Sequence, residues 1–163
     1  DISKQHINKI KILFPKALLF SEANEQNITK HNVLIIDNIG MLSNLYQYAD
    51  IAIIGGGFTG ALHNILEPAT FGVPVFFGPN HSKFKEAEHM LSEGAGYEFN
   101  THIELTQSVN SLIANNTLLI EQKEKNKNFI KTNIGATKLI IKELPKPLII
   151  NYLFLVNNPL IIC

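Results

Sequence analysis

Short, continuous apolar runs alternate with helical stretches along most of this chain, and this alternation restricts the fold more than any other feature. Runs of three or four apolar residues lie at 17–20, 33–36, 51–54 and 75–77, and a shorter candidate strand lies at 96–99. Such runs are typical of strands covered on both faces. Stretches with helical spacing intervene at 41–48, 64–71 and 84–93. The pattern predicts an α/β fold, a Rossmann-like parallel sheet with helices on both faces.

The chain has the length of one ordinary domain, with 163 residues of which 45% are apolar. Further helical spacing occurs at 2–14, 103–114 and 118–134. We assign residues 1–144 to the domain. Because its first helix would normally return from a preceding strand, we expect an N-terminal truncation. Residues 145–163 form a separate apolar tail interrupted by Asn and Pro, for which a membrane span, a packed element and a tail without native role all stay open.

Charge and cysteine content argue against several classes of function. Basic and acidic residues number 14 each, so no overall field favours nucleic acid as a partner. The single cysteine, Cys163, rules out an internal disulfide and cysteine-based metal clusters. His63, His81 and His89 lack the spacing of paired metal ligands, so we expect no metal. No export signal opens the chain, which favours the cytoplasm. The charged run 121–127 is interpreted as a solvated helix face, with a membrane-contact patch as the lesser alternative.

A glycine-rich loop between a strand and a helix is the strongest candidate for a site. It lies in residues 51–79, IAIIGGGFTGALHNILEPATFGVPVFFGP. Gly55, Gly56 and Gly57 follow the strand, and Gly60 completes a G-x-G-x-x-G pattern. Glycine permits positive φ and the close approach of a phosphate to the backbone. These residues predict an anion-binding loop.

The residues after the loop predict that a helix begins there. Asn64 is a candidate N-cap, and Glu67 three positions on completes a pair with capping-box spacing. A helix N-terminus adds unpaired N–H groups and a positive dipole end to the loop. Phosphate or carboxylate is the expected ligand. The alternative is structural: the glycines allow a tight turn, and Asn64 and Glu67 cap the helix.

A nicotinamide dinucleotide site would use a similar glycine pattern but requires an acidic residue about twenty positions on. The next strand is followed by Gly78 and Pro79, without Asp or Glu, which argues against that class. Glu67 is instead placed to accept both hydroxyls of a ribose. His63 has two open interpretations, a contact to the anionic groups of a ligand or a hydrogen bond to the backbone at the helix entry.

Five ordered motifs resemble those of bacterial 3-deoxy-D-manno-octulosonic acid (Kdo) transferases. They are an Asp-(Thr/Asn)-x-Gly-x-Leu segment, a Leu-Tyr-x-x-Ala-Asp stretch, the glycine loop, His-Asn-x-Leu-Glu-Pro and a closing Gly-Pro, found at 37–42, 45–50, 55–57, 63–68 and 78–79. The similarity runs from about the first residue to residue 141. Two positions depart from the family pattern, Met41 where many relatives have Glu and Leu62 where many have Gly.

The resemblance implies the C-terminal half of a GT-B glycosyltransferase, the half that holds the CMP-Kdo donor and needs no further cofactor. It implies that the loop, His63 and the start of the Asn64 helix hold the donor's anionic groups, that Glu67 holds the ribose, and that Gly40 borders the cytosine. The acceptor, a lipid A precursor, and the general base would belong to an N-terminal domain at the cytoplasmic face of the inner membrane. No catalytic residue is therefore expected in this chain, which we expect to be inactive alone.

Two other functions stay open at this point. One is a different GT-B nucleotide-sugar enzyme, such as a UDP-sugar transferase or an epimerase. The other is a non-catalytic fragment whose sheet lacks a strand.

Overall fold

The computed structural model describes residues 2–144, apart from the side chains of residues 136 and 137. The predicted tail, 145–163, lies outside the described residues. Residues 2–144 contain five strands: β1 (Leu18–Leu19), β2 (Leu34–Ile35), β3 (Ala52–Ile54), β4 (Val75–Phe77) and β5 (Gly96–Glu98). Seven α-helices are described: α1 (Lys4–Leu13), α2 (Leu42–Leu45), α3 (Leu66–Thr70), α4 (Lys85–Ser92), α5 (His102–Ala114), α6 (Asn116–Asn133) and α7 (Ala136–Glu143). Single 3-10 turns lie at Phe20–Glu22, Ile28–Lys30 and Tyr46–Tyr48.

The strands form two parallel sheets rather than the single sheet predicted. β1 pairs with β2, and β3, β4 and β5 pair in that order. Within the described residues β2 and β3 do not pair, so the sheet expected to be continuous is divided between them. All pairings are parallel, as the buried apolar runs indicated.

β4 is the centre of the larger sheet and carries the core on both of its faces. Val75, Phe76 and Phe77 are all fully buried. Val75 and Phe77 face one cluster, which includes side chains of α3, α4 and α6, whereas Phe76 faces a second one with Leu112 of α5. Because successive side chains of a strand point to opposite faces, helices must cover both sides of this sheet. The predicted α/β architecture with helices on both faces is therefore confirmed.

Helix α6 crosses the domain and corrects one prediction. The run 121–127 is not wholly a solvated face, because Gln122 and Asn126 are buried. Gln122 Nε2 donates to Gly94 O at 3.0 Å, and Asn126 Nδ2 donates to Val73 O at 2.6 Å. Four residues apart, they lie on the same helical face, which packs inward and donates hydrogen bonds to the carbonyl groups of Gly94 and Val73.

Of the helices at either end of the described chain, the first was predicted and the last was not. Helix α1 is capped by Ser3, whose side chain accepts from His6 N, but none of its residues is buried. Helix α7 was not predicted; it begins after Gly135, which has φ +120°. No helix within residues 2–144 is long and apolar enough to cross a membrane.

Helix α5 begins with a local capping arrangement. Thr101 accepts from Glu104 N at 3.2 Å, and the Glu104 carboxylate accepts from Asn100 N at 2.9 Å. The Asn100 N–H is the main reason that the pKa of Glu104 lies below its usual value. The first bond satisfies one of the N–H groups that a helix leaves free at its start, and the second fixes the residue before the N-cap.

Candidate functional site

The glycine loop lies at the carboxyl end of β3 and is closed largely by its own backbone. Gly56 O accepts from Thr59 N and from Ala61 N, both at 3.1 Å, and Gly55 O accepts from His63 N at 3.1 Å. These three N–H groups are therefore used within the loop. Fewer of the loop's N–H groups are left for a ligand than the glycine pattern suggested.

Two of the glycines are required by the protein's own packing. Gly56 has φ +84°, and a Cβ there would lie 1.9 Å from Ala61 O. Gly57 is buried, and a Cβ there would lie 2.5 Å from the backbone N of Gly78. We predicted that a phosphate would approach the backbone of these glycines closely. At Gly57 the group that approaches is instead the backbone at the end of β4. Both glycines thus shape the loop whether or not a ligand is present.

Gly60 and Gly40 differ from this pair because they face open space. Gly60 has φ +72° and Gly40 has φ +94°, and neither would bring a Cβ within 4 Å of another atom. Gly60 lies on the glycine loop itself. Gly40 lies on a separate segment, between β2 and α2.

His63 follows the loop and is exposed. Its ring lies over Gly55, with Cδ2 3.4 Å from the position that a Gly55 Cβ would occupy. Its backbone N–H donates to Gly55 O, but its ring makes no hydrogen bond within the described residues. Only the backbone amide of His63 is thus bound to the loop, and its imidazole is open to a ligand.

The predicted helix cap at Asn64 is wrong in detail. Helix α3 begins at Leu66 and has only five residues, with Ile65 in the N-cap position. Asn64 Oδ1 accepts from Leu66 N at 3.0 Å, and Asn64 Nδ2 donates to Glu67 Oε1 at 3.0 Å. Glu67 thus reaches the Asn64 side chain rather than its backbone. So short a helix has a weak dipole, and its first N–H is already used by Asn64.

Glu67 links the glycine-loop region to the first family motif. Its second oxygen, Oε2, accepts from Ser43 Oγ of α2 at 2.9 Å. Ser43 was not predicted, and its only sequence signal is its place between the Asp-(Thr/Asn)-x-Gly-x-Leu and Leu-Tyr-x-x-Ala-Asp motifs. A carboxylate accepts about four hydrogen bonds, so Glu67 retains capacity for a ligand. Ser43, Asn64 and Glu67 form what we call the carboxylate cluster.

Tyr46 is a second residue that sequence reasoning missed. Burial first, and then the negative charge of Glu67, raise the pKa of Tyr46 above its usual value. Its phenol is therefore neutral near pH 7 and lies within the field of Glu67. The motif residue Tyr46 thus belongs beside the carboxylate cluster.

Asp37, at the start of the first motif, is held by a different partner. Ser21 Oγ donates to Asp37 Oδ2 at 2.5 Å, and Ser21 N donates to Asp37 Oδ1 at 3.0 Å. The Ser21 hydroxyl is the main reason that the pKa of Asp37 lies below its usual value. These bonds tie the ends of β1 and β2 together. No group of three or more His, Cys, Asp or Glu side chains is positioned to hold a metal ion anywhere in residues 2–144.

Comparison with known proteins identifies the relatives of this chain. It is 33% identical to the 3-deoxy-D-manno-octulosonic acid transferase of Aquifex aeolicus (strain VF5) over 126 residues, 74% of this chain. It is 41% identical to the transferase of the same name from Chlamydophila psittaci over 102 residues, 56% of this chain. The chain is a homologue of part of the bacterial Kdo transferases. No protein-family model matches it.

The homology covers a limited part of these enzymes. The chain spans 35% of the Aquifex protein and 23% of the Chlamydophila protein. A crystal structure of the C-terminal CMP-Kdo binding domain of WaaA from Acinetobacter baumannii matches it with a TM-score of 0.68 at 18% identity, over 77% of this chain and 67% of that one. That likeness supports the same α/β fold.

Proposed function

We propose that this chain is the donor-binding domain of a GT-B glycosyltransferase that transfers Kdo from CMP-Kdo to a lipid A precursor. The observation that carries the proposal is the carboxylate cluster beside the glycine loop, in a homologue of Kdo transferases. Glu67 is bound to Ser43 of α2 and to Asn64 at the end of the loop. One carboxylate is thus held between the two segments that would contact a nucleotide.

The donor's parts fit this arrangement by charge and hydrogen bonding. The ribose hydroxyls are donors and suit the remaining lone pairs of Glu67. The phosphate and the Kdo carboxylate are anions, which belong on the N–H groups of the Gly55–Gly60 loop and near His63 and Asn64. Gly40, at the segment that leads into α2, would border the cytosine. No cofactor besides the donor substrate is needed.

The acceptor and the general base belong, in this proposal, to a further domain of the parent enzyme. A lipid A precursor is held in a membrane, so the parent enzyme would associate peripherally with the inner membrane at its cytoplasmic face. We therefore expect the 163-residue chain to transfer no Kdo by itself. The measurement is Kdo transfer from CMP-Kdo to a lipid A precursor by the purified chain. Transfer above the rate without protein would overturn the assignment of the base to another domain.

Nucleotide preference provides the direct test of the proposal. A ligand that binds only the folded state raises its apparent stability, by about 2.7 kcal/mol at a hundredfold excess over Kd. CMP is expected to raise the melting temperature with the logarithm of its concentration above Kd, whereas UMP and NAD are expected to have little effect. Calorimetric titration with the same three ligands gives the affinities.

The other outcomes distinguish the rival functions. A preference for UMP over CMP would favour a UDP-sugar transferase or an epimerase. A chain without a cooperative unfolding transition would be a non-catalytic fragment. Either result would overturn the proposed donor.

A further inference from the structure

The loop that follows β4 grips the glycine loop through a single residue, Asn80. Its backbone N–H donates to Gly57 O at 2.7 Å, and its side-chain Nδ2 donates to Phe58 O at 2.8 Å. Asn80 thus holds two consecutive carbonyl groups of the glycine loop from one side. Asn80 had no place among the predicted site residues.

The hydrogen bond from Asn80 to Gly57 O fixes the direction of the Phe58 N–H. The carbonyl of Gly57 and the N–H of Phe58 belong to the same peptide group, which is planar and trans. With the carbonyl directed at Asn80, the Phe58 N–H must point away from it. The next amide, Thr59 N–H, donates to Gly56 O, but within the described residues the Phe58 N–H has no acceptor. Phe58 lies at the surface, with 52% of the residue exposed.

The residues on either side of Asn80 are themselves held in place. A Cβ at Gly78 would lie 2.7 Å from the Phe58 ring, and that ring packs on Phe99 at a centroid distance of 5.4 Å. The next residue, His81, is buried, with its Nε2 2.7 Å from Glu98 Oε2 at the end of β5. The segment before and after Asn80 is therefore held by both β4 and β5.

We propose that Asn80 is a positioning residue, which orients the Phe58 N–H toward an anionic group of the nucleotide donor. This inference rests on the proposed function for the presence of the donor. Asn80 itself contacts the loop rather than the ligand. The free Phe58 N–H supplies the hydrogen bond, and the two bonds from Asn80 keep it directed before the ligand arrives, which lowers the cost of ordering the loop on binding.

The test uses Asn80→Asp, which keeps the shape of the side chain but replaces the donor with an acceptor facing Phe58 O. Asn110→Asp, at an exposed position on α5, is the control for the change in the net charge of the chain. We expect Asn80→Asp to weaken CMP binding about tenfold, the loss typical of one hydrogen bond. Cytidine lacks the phosphate, so the loss of a contact to the phosphate leaves its own contacts intact. The cytidine affinity of Asn80→Asp should therefore lie within about twofold of the cytidine affinity of the wild type. Asn110→Asp should change neither affinity.

Amide resonances of the 15N-labelled chain separate this inference from the proposed function. On titration with CMP, the Phe58 amide is expected to shift in the wild type and in Asn110→Asp, and to shift far less in Asn80→Asp. If CMP shifts other loop amides but leaves Phe58 unmoved in the wild type, the inference is wrong and the proposed function stands. If CMP shifts no amide of the wild type, the proposed function fails. Equal CMP affinity in Asn80→Asp and Asn110→Asp would also overturn the inference.

Discussion

The Gly56→Ala variant is expected to unfold about 10 °C below the wild-type chain, a shift that corresponds to a loss of about 2–5 kcal/mol in a domain of this size. Two effects add. An L-residue at the φ of +84° found there costs about 1–2 kcal/mol. The new methyl would also lie 1.9 Å from Ala61 O, so the turn must open, which costs about 1–3 kcal/mol more. Thermal unfolding followed by circular dichroism measures the shift.

Gly60→Ala is the matched control for this variant. Gly60 lies on the same loop with a similar φ of +72°, but a Cβ there meets no atom within 4 Å. It should lose only the conformational part, about 1–2 kcal/mol. CMP binding should fall together with stability in Gly56→Ala, because the turn closed by Gly56 O fixes the direction of the loop's amides. If the two variants unfolded at the same temperature, the packing role of Gly56 would be wrong.

The elements that depend on local sequence were predictable, and those that depend on distant partners were not. The run 75–77 gave β4 with its observed bounds, because three consecutive apolar residues suit a strand buried on both faces. The division into two sheets was not predictable. A pairing between β2 and β3 concerns backbone edges, and the side chains of the two runs carry no signal for or against it.

The same limit explains the errors at the site. Position 57 must be glycine because the backbone of Gly78 lies against it. Glu67 Oε2 accepts a hydrogen bond from Ser43, 24 positions earlier in the chain. On α6, the buried Asn126 donates a hydrogen bond to Val73 O, 53 positions away. Residue types identified the loop and its carboxylate. The contacts that decide what each residue does were fixed only by the tertiary fold.

The Glu67→Gln variant is expected to bind CMP about tenfold more weakly than the wild-type chain, and Glu67→Ala about a hundredfold more weakly. Hydrogen bonds to a charged acceptor contribute about 1.5–3 kcal/mol and neutral ones about 0.5–1.5 kcal/mol, and each 1.4 kcal/mol is a factor of ten in affinity. Gln keeps one acceptor for a ribose hydroxyl, whereas Ala keeps none. Calorimetric titration with CMP measures both losses, and titration with 2′,3′-dideoxy-CMP, which lacks the two hydroxyls, should give nearly equal affinities for all three proteins.

Glu86→Gln controls for the charge and for the helix position, because Glu86 is the second residue of α4 as Glu67 is of α3. Glu86 is exposed, and its neutralisation should leave CMP affinity unchanged. The sign of the Glu67 effect is decisive, since the donor is itself an anion. If Glu67 only joined Ser43 to Asn64 and made no contact with ribose, then removing its negative charge would leave CMP affinity unchanged or raise it by reducing repulsion. A loss of affinity that depends on the ribose hydroxyls is the result expected of a direct contact between Glu67 and the nucleotide.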